Sequence, residues 1–292
     1  MSLAADHPSP MFPPLSSLVP WKDRTGRTSA LRAVAFAAAV LPGLMLLGRW
    51  AAGDLGARPL AEAIHVSGDW AIRFVLAAIA VTPLARLSGQ ARLFGIRRTL
   101  GLAALAYAVL HVALWMVDLG LDPAMIAFEA AVRPYLTLGL VGFVGLVAMG
   151  ATSTDGMVRR LGAERWKRLH GLVHPIVILG IVHLFLQSKL DLQQGAILSG
   201  VAFGGLAVRV ALTHRARLGR GVVAGATLAA FLGGAAAEAV WFLLKTGRAV
   251  EPILMANFAF TARVAPSWWA AGIVLGLGVV AMVYRTRSRR GP

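Results

Sequence analysis

The chain has 292 residues, of which 58% are hydrophobic and only 14% are charged, and its mean hydropathy is +0.70. A soluble domain of this composition would expose too much apolar surface, so the composition excludes a soluble globular fold. The absence of cysteine excludes disulfides, iron–sulfur clusters and every cofactor held by a thiolate.

The net charge of +16 does not indicate a nucleic-acid-binding protein. The basic residues lie in short segments that flank apolar runs, with no basic stripe or recognition motif beside them. Such charges are typical of loops at a membrane surface. We therefore predict contact with membrane lipid and no nucleic-acid partner.

Apolar runs dominate the chain after a polar, proline-rich start. Residues 1–28 are predicted to form a cytoplasmic tail. Each later run is long enough to cross a bilayer as a helix. The prediction is an all-α protein, a polytopic transmembrane helical bundle with a six-span core and two C-terminal spans. The eight predicted spans are 29–49, 70–87, 98–117, 134–150, 169–187, 194–213, 221–244 and 267–284.

Loop charge predicts the orientation of these spans. The loops after the second, fourth and sixth spans and the C-terminal end are rich in arginine, whereas the loops after the first, third and fifth spans are acidic or nearly neutral. The loop after the seventh span is an exception, with Lys245, Arg248 and Arg263 against Glu251. Because cytoplasmic loops carry an excess of positive charge, we predict a bacterial inner-membrane protein with both termini in the cytoplasm.

Four of the seven histidines lie within two apolar spans. His111 is in the third span, and His170, His174 and His183 are in the fifth. An ionisable side chain at membrane depth is costly and usually functional, and neutral imidazole is a good iron ligand. A structural histidine bonded to a neighbouring helix is the alternative for any one of them, but four on two helices favour heme.

Depth along the helices separates these histidines. His170 and His183 are 13 residues apart, about 20 Å along a helix, which places them in opposite leaflets. His111 follows Arg98 by 13 residues and so reaches the outer level of His183. We predict that His111 and His183 bind one iron.

The inner level is incomplete because Arg97 and Arg98, not a histidine, face His170 across the bundle. The inner site is a heme with an unusual sixth ligand, a heme bound by His174, or only a path for electrons. Arg97 and Arg98 either neutralise heme propionates or a flavin phosphate, or serve only as topology signals.

Four stretches of the chain resemble the MsrQ family, within the ferric reductase-like transmembrane group. They are VTPLARL at 81–87, RRTLGL at 97–102, RPYLTLGL at 133–140 and ATSTDGMVRRLGAERWKRLHGLVH at 151–174. The resemblance implies one or two b-type hemes, with His111, His170 and His183 as the heme histidines, and FMN as a further cofactor. It also implies that electrons pass from quinol or a cytoplasmic flavin reductase to a periplasmic molybdopterin methionine sulfoxide reductase, MsrP.

Two features depart from the family pattern. His174 stands where an aromatic residue is expected, and residues 216–292 add two spans to the usual six. We therefore predict a heme-binding ferric reductase-like core at 29–215 and a C-terminal extension at 216–292. Glu238, inside that extension, either lines a proton or quinone site or is a carboxylate at the lipid surface.

The predicted function is that of a membrane electron-transfer subunit that performs no sulfoxide chemistry itself. One alternative is a b-type cytochrome that serves ferric reduction or another periplasmic enzyme. An alternative from a different class is a proton-coupled transporter whose histidines relay protons.

Overall fold

The computed structural model describes residues 19, 21–22, 26–188, 191–259 and 264–290. The predicted tail 1–28 therefore lies for the most part outside the described residues. The described part of the chain contains one short 3₁₀ helix, Ala91–Ile96, and no β-strand. Its α-helices are α1 Ala30–Ala51, α2 Pro59–Ser88, α3 Arg97–Asp118, α4 Pro123–Val132, α5 Pro134–Ala151, α6 Asp155–Leu161, α7 Ala163–Gly171, α8 Val173–Gln187, α9 Gln193–Thr213, α10 Arg220–Thr246, α11 Val250–Phe258 and α12 Pro266–Arg290.

Among the described residues, eight helical segments are long and apolar enough to span a membrane, and they confirm the predicted polytopic bundle. They are α1, α2, α3 with the preceding 3₁₀ turn, α5, α7 with α8, α9, α10 and α12. Large apolar side chains such as Leu47, Ile178 and Leu244 are exposed on the outside of these helices. Exposure of this kind suits lipid, where apolar surface carries no cost.

The helix of the second span begins earlier than the predicted span 70–87. The helix α2 starts at Pro59 and contains His65, about three turns before the predicted start near residue 70. Proline favours the first position of a helix, where its missing amide has no intrahelical partner. Glu62 lies in the first turn, where the helix dipole favours a negative charge. Polar residues therefore lengthen this helix beyond its apolar run.

Four helices form a closed ring in the middle of the molecule. Along the ring, α2 packs on α3, α3 on α5, α5 on α8, and α8 on α2. The helices α3 and α8 lie diagonally across this ring and make few direct contacts with each other. Tyr107 of α3 ties the ring to α1 by donating a hydrogen bond to the Ala39 carbonyl at 3.0 Å. Facing helices of such a bundle are a common location for a cofactor site.

The fifth predicted span is interrupted. The helix α7 ends at Gly171 and α8 begins at Val173, with Leu172 between them. Pro175 has no amide hydrogen and cannot donate to the Gly171 carbonyl four residues earlier. The His174 side chain contacts that carbonyl instead, with Nδ1 3.0 Å from the oxygen. The break therefore follows from the His174–Pro175 pair.

The last helices pack closely against α9. Gly200 and Gly204 of α9 face Ala230, Ala226 and Ala270 so tightly that an added Cβ would approach within about 3 Å of their atoms. The helix α12 also contacts α2, and Trp241 of α10 donates a hydrogen bond to the Phe185 carbonyl of α8 at 3.0 Å. Small residues thus let α9, α10 and α12 approach one another beside the four-helix ring.

Candidate functional site

The structure brings His111 and His183 together. Their ring centroids are 6.2 Å apart and their ring planes are nearly perpendicular, at 89°. His111 projects from α3 and His183 from α8, the two helices that face each other across the ring. The depth argument from the sequence had placed these two side chains at one level.

A helix carbonyl fixes the orientation of each ring. Nδ1 of His111 lies 2.7 Å from the Ile64 carbonyl of α2, and Nδ1 of His183 lies 2.6 Å from the Tyr135 carbonyl of α5. Because a carbonyl oxygen can only accept, each Nδ1 must carry the proton, and a neutral ring then has its lone pair on Nε2. A histidine that ligates a metal commonly donates its other N–H in this way.

The separation of the two rings suits two histidines that bind one metal ion. Their centroids would then be roughly 6.2 Å apart, given metal–nitrogen bonds of about 2 Å and about 1.1 Å from nitrogen to ring centroid. The observed separation is 6.2 Å. The helices α3 and α8 make few direct contacts with each other, and a heme held by this pair would lie between the two rings.

The His111–His183 pair lies near one end of the bundle. His183 is four residues before the end of α8 and His111 is seven before the end of α3, or about 6 and 10 Å along the helices. The short helix α4 lies at this end, which we call the α4 end, and α6 lies at the opposite α6 end. A cofactor between the two histidines would therefore be close to the surface at the α4 end.

His170 lies in a different setting, near the α6 end. Its Nε2 is 3.2 Å from Thr152 Oγ1, and its ring stacks on Trp166 with centroids 3.9 Å apart. Trp166 Nε1 in turn donates to the Thr152 carbonyl at 2.9 Å. The contact with Thr152 therefore uses the nitrogen that His111 and His183 leave available.

The position of the His174 side chain is accounted for by a contact within its own helical turn. Its Nδ1 satisfies the Gly171 carbonyl that Pro175 leaves without an amide partner. This contact gives the side chain a structural task without any cofactor. The structure does not bring His174 together with His111 and His183.

Arg97 and Arg98 begin α3 at the α6 end. Both charges act on the His170 imidazole, and Arg97 also interacts with the charge of Arg209 on α9. Arg98 forms an ion pair with Asp155 at 2.5 Å, at the start of α6. His170 is thus flanked by a cationic cluster, which a phosphate or a carboxylate would complement.

The sequence did not reveal several of these partners. Thr152 and Trp166 hold His170, and the backbone carbonyls of Ile64 and Tyr135 orient the paired histidines. Every residue has a backbone carbonyl, so the residue type does not show which carbonyl will accept a hydrogen bond from a histidine. One signal was present: each histidine follows its carbonyl by almost the same number of residues, 47 and 48.

Glu238 lies apart from the histidines, within the C-terminal helices. Its carboxylate accepts a hydrogen bond of 2.8 Å from the amide of Asn257 on α11, a residue that is almost fully buried. The Asn257 carbonyl accepts a hydrogen bond of 3.0 Å from Nε1 of Trp268, which lies at the start of α12. These contacts join α10, α11 and α12.

Comparisons with known proteins identify the family of the chain. Residues 67–181 match the family model described as ferric reductase like transmembrane component. The heme-binding subunit MsrQ of the protein-methionine-sulfoxide reductase from Ralstonia nicotianae is 40% identical over 62% of this chain and 85% of its own length. The subunits of the same name from Rhodospirillum rubrum and Caulobacter vibrioides are 38% and 41% identical, over 68% and 54% of this chain and 94% and 75% of their own lengths. No solved structure matches the chain. The chain therefore belongs to the MsrQ family.

Proposed function

We propose that this chain is a heme-carrying electron-transfer subunit of a methionine sulfoxide reductase system in the bacterial inner membrane. Electrons enter from quinol or a cytoplasmic flavin reductase and leave to a periplasmic molybdopterin reductase that repairs oxidised proteins. The observation that carries the proposal is the His111–His183 pair, whose ring centroids are 6.2 Å apart, a separation that suits two histidines holding one iron. Its relatives are named as heme-binding subunits.

His111 and His183 bind the iron of a b-type heme through Nε2 in this proposal. Their Nδ1–H groups donate to the Ile64 and Tyr135 carbonyls, which hold the rings in place and make them better ligands. The apolar helices around the pair keep water from the site and so influence its potential. The heme supplies one-electron redox chemistry that no side chain of this chain has.

The direction of transfer follows from the position of the pair. We place the α4 end at the periplasmic face and both chain termini in the cytoplasm, because the arginine-rich loops lie at the α6 end. The paired histidines are then within about 10 Å of the helix ends that face the partner. Asp118 and Asp122 place negative charge beside α4 for a complementary partner, whereas the charge of Glu129 is offset by its ion pair with Arg133.

Electron entry is proposed at the α6 end. His170 is the inner ligand or the inner relay residue, and Arg97 and Arg98 hold the anionic groups of a second heme or of FMN. The support is the proximity of these charges to the His170 ring. His174 is a weaker candidate because the Gly171 carbonyl accounts for its position.

The test is a heme-to-protein ratio and an optical and EPR spectrum for four single variants of the purified protein. His111→Ala and His183→Ala should each remove the same low-spin heme, since a six-coordinate iron needs both ligands. His170→Ala should lower the ratio only if a second heme is present. His174→Ala is the matched control on the same span and should resemble the wild type.

The contrary outcomes are equally clear. A wild-type Soret band and heme content in both His111→Ala and His183→Ala would show that the pair is not the ligand set. A purified wild-type protein with no Soret band would favour the proton-coupled transporter over any electron-transfer role.

A further inference from the structure

The structure assigns a shared task to Gly68 and Gly139. Each is a positioning residue that opens one helix carbonyl to a heme histidine, Gly68 for His111 and Gly139 for His183. This inference rests on the proposed function, in which the two histidines bind one heme. Both glycines contact the Nδ1 side of their histidine ring, whereas the heme iron would be bound at Nε2.

Both glycines are in contact with the rings. A Cβ built on Gly68 would lie 2.8 Å from His111 Nδ1 and 3.0 Å from its Cε1. A Cβ built on Gly139 would lie 2.8 Å from His183 Nδ1 and 2.9 Å from its Cε1. Carbon atoms do not approach ring atoms this closely, so any other residue at either position must displace the imidazole.

The helix geometry explains why the residue must be glycine. Gly68 follows Ile64 by four residues and Gly139 follows Tyr135 by four, so each glycine is the residue whose side chain would cover that carbonyl. Ser67 shows this reach one position earlier, because its Oγ lies 2.7 Å from the Ala63 carbonyl four residues before it. The same Oγ lies 2.9 Å from the Ile64 carbonyl, so Ile64 shares its oxygen between Ser67 and His111. A glycine at this position leaves the space beside the carbonyl open, so that an imidazole from a neighbouring helix can reach the oxygen.

The same arrangement occurs twice. The pair α2 and α3 supplies the Ile64 carbonyl, Gly68 and His111, and the pair α5 and α8 supplies the Tyr135 carbonyl, Gly139 and His183. The separations from carbonyl to histidine, 47 and 48 residues, differ by one. Two independent occurrences of one contact argue that the glycines serve the histidines rather than general helix packing.

The glycines therefore set the angle between the ligand planes. Each ring is attached at Cβ to its own helix and would be held at Nε2 by a bound iron. A methyl group pushed against Nδ1 would then tilt the ring or break the hydrogen bond from Nδ1–H to its carbonyl. Either change alters the 89° between the planes. The g-values of a low-spin ferric heme depend on that angle, so EPR reports it directly.

The experiment compares four Gly→Ala variants of the full chain. Gly68→Ala and Gly139→Ala are the tests. Gly101→Ala on α3, where an added Cβ meets nothing within 4 Å, and Gly142→Ala on α5, where it meets only Leu179 at 3.9 Å, are the matched controls. The tests should bind heme about 10- to 100-fold more weakly and should shift the largest g-value of the retained heme, whereas the controls should match the wild type. Wild-type g-values and heme affinity in both tests would overturn the inference.

A double variant separates positioning from packing. In a His111→Ala background the ring is gone, so Gly68→Ala should cause no further loss of thermal stability in the heme-free protein. An equal loss with and without the His111 ring would overturn the positioning role. Heme retained by His111→Ala and His183→Ala would instead contradict the proposed function, which is a separate result on separate variants.

Discussion

His111 and His183 donate Nδ1–H to carbonyls of neighbouring helices, whereas His170 contacts Thr152 through Nε2 and His174 contacts the Gly171 carbonyl within its own turn. The chemistry open to each ring depends on which nitrogen its partner occupies. The carbonyl contacts of His111, His183 and His174 all use Nδ1 and leave Nε2 available, whereas His170 uses Nε2. His174 differs from the first two because its carbonyl partner lies in its own turn and it does not face a second histidine.

Arg97 and Arg98 are adjacent but not equivalent. The ion pair of Arg98 with Asp155 offsets one charge, whereas Arg97 interacts with the positive charge of Arg209. We expect Arg97→Gln to slow reduction by a flavin reductase with FMN about tenfold at low ionic strength, and Arg98→Gln to slow it less. Stopped-flow heme absorbance measures both rates, with a quinol analogue as the second donor and membrane topology checked separately. Equal, wild-type rates in the two variants would leave both arginines as topology signals.

At the scale of elements, α9 contacts both the ring and the C-terminal helices α10 and α12. Its glycines are not alike: a Cβ on Gly200 would lie 2.5 Å from the Ala230 carbonyl oxygen and 2.5 Å from the Ala270 Cβ, whereas one on Gly205 meets nothing within 4 Å. The close approach of α9, α10 and α12 therefore depends on position 200 and not on position 205.

The two glycines allow a controlled comparison of packing. Gly200→Ala should destabilise the protein by about 1–3 kcal/mol because backbone atoms cannot move aside. Gly205→Ala should be neutral or stabilise by about 0.4–1 kcal/mol, since alanine restricts the unfolded chain. Thermal unfolding in detergent measures both changes. If the two variants unfold alike, packing at α9 does not hold the C-terminal helices. The heme spectrum should be unchanged in both, because neither glycine contacts the paired histidines.

At the scale of the whole molecule, we propose that residues 29–215 are the functional core and residues 216–292 an added layer. A chain that ends after Gly219 should insert and retain heme, because both histidines and both carbonyls that orient them precede that point. Its unfolding temperature should fall, since α9 loses its partners and the Phe185 carbonyl loses Trp241. Heme per inserted chain and thermal unfolding are the measurements. Complete loss of heme from a stably inserted chain would show that the C-terminal helices build the site.

Hydropathy was sufficient to predict the eight spans, because each crossing needs an apolar run of fixed length. The level shared by His111 and His183 was also predictable, since rise per residue depends on helix geometry alone. The early start of α2 was not predictable from hydropathy, because the first turns of that helix are polar. The break at Leu172 was not predictable from hydropathy either, because the contact of one side chain with one carbonyl does not change it. Thr152 was missed because a threonine at the end of an apolar run gives no sign that its hydroxyl contacts a histidine 18 residues later.

The division of the two ligands between α2–α3 and α5–α8 has a consequence for biosynthesis. During translation the first helix pair enters the membrane with only His111, and His183 follows after α5 and α7 have been made. If both histidines hold the heme, as we propose, a nascent chain cannot bind it through both until the fifth span has been inserted. Heme binding would then connect two helix pairs that were synthesised at different times. We expect ribosome-stalled chains ending before and after α8 to differ sharply in heme retention.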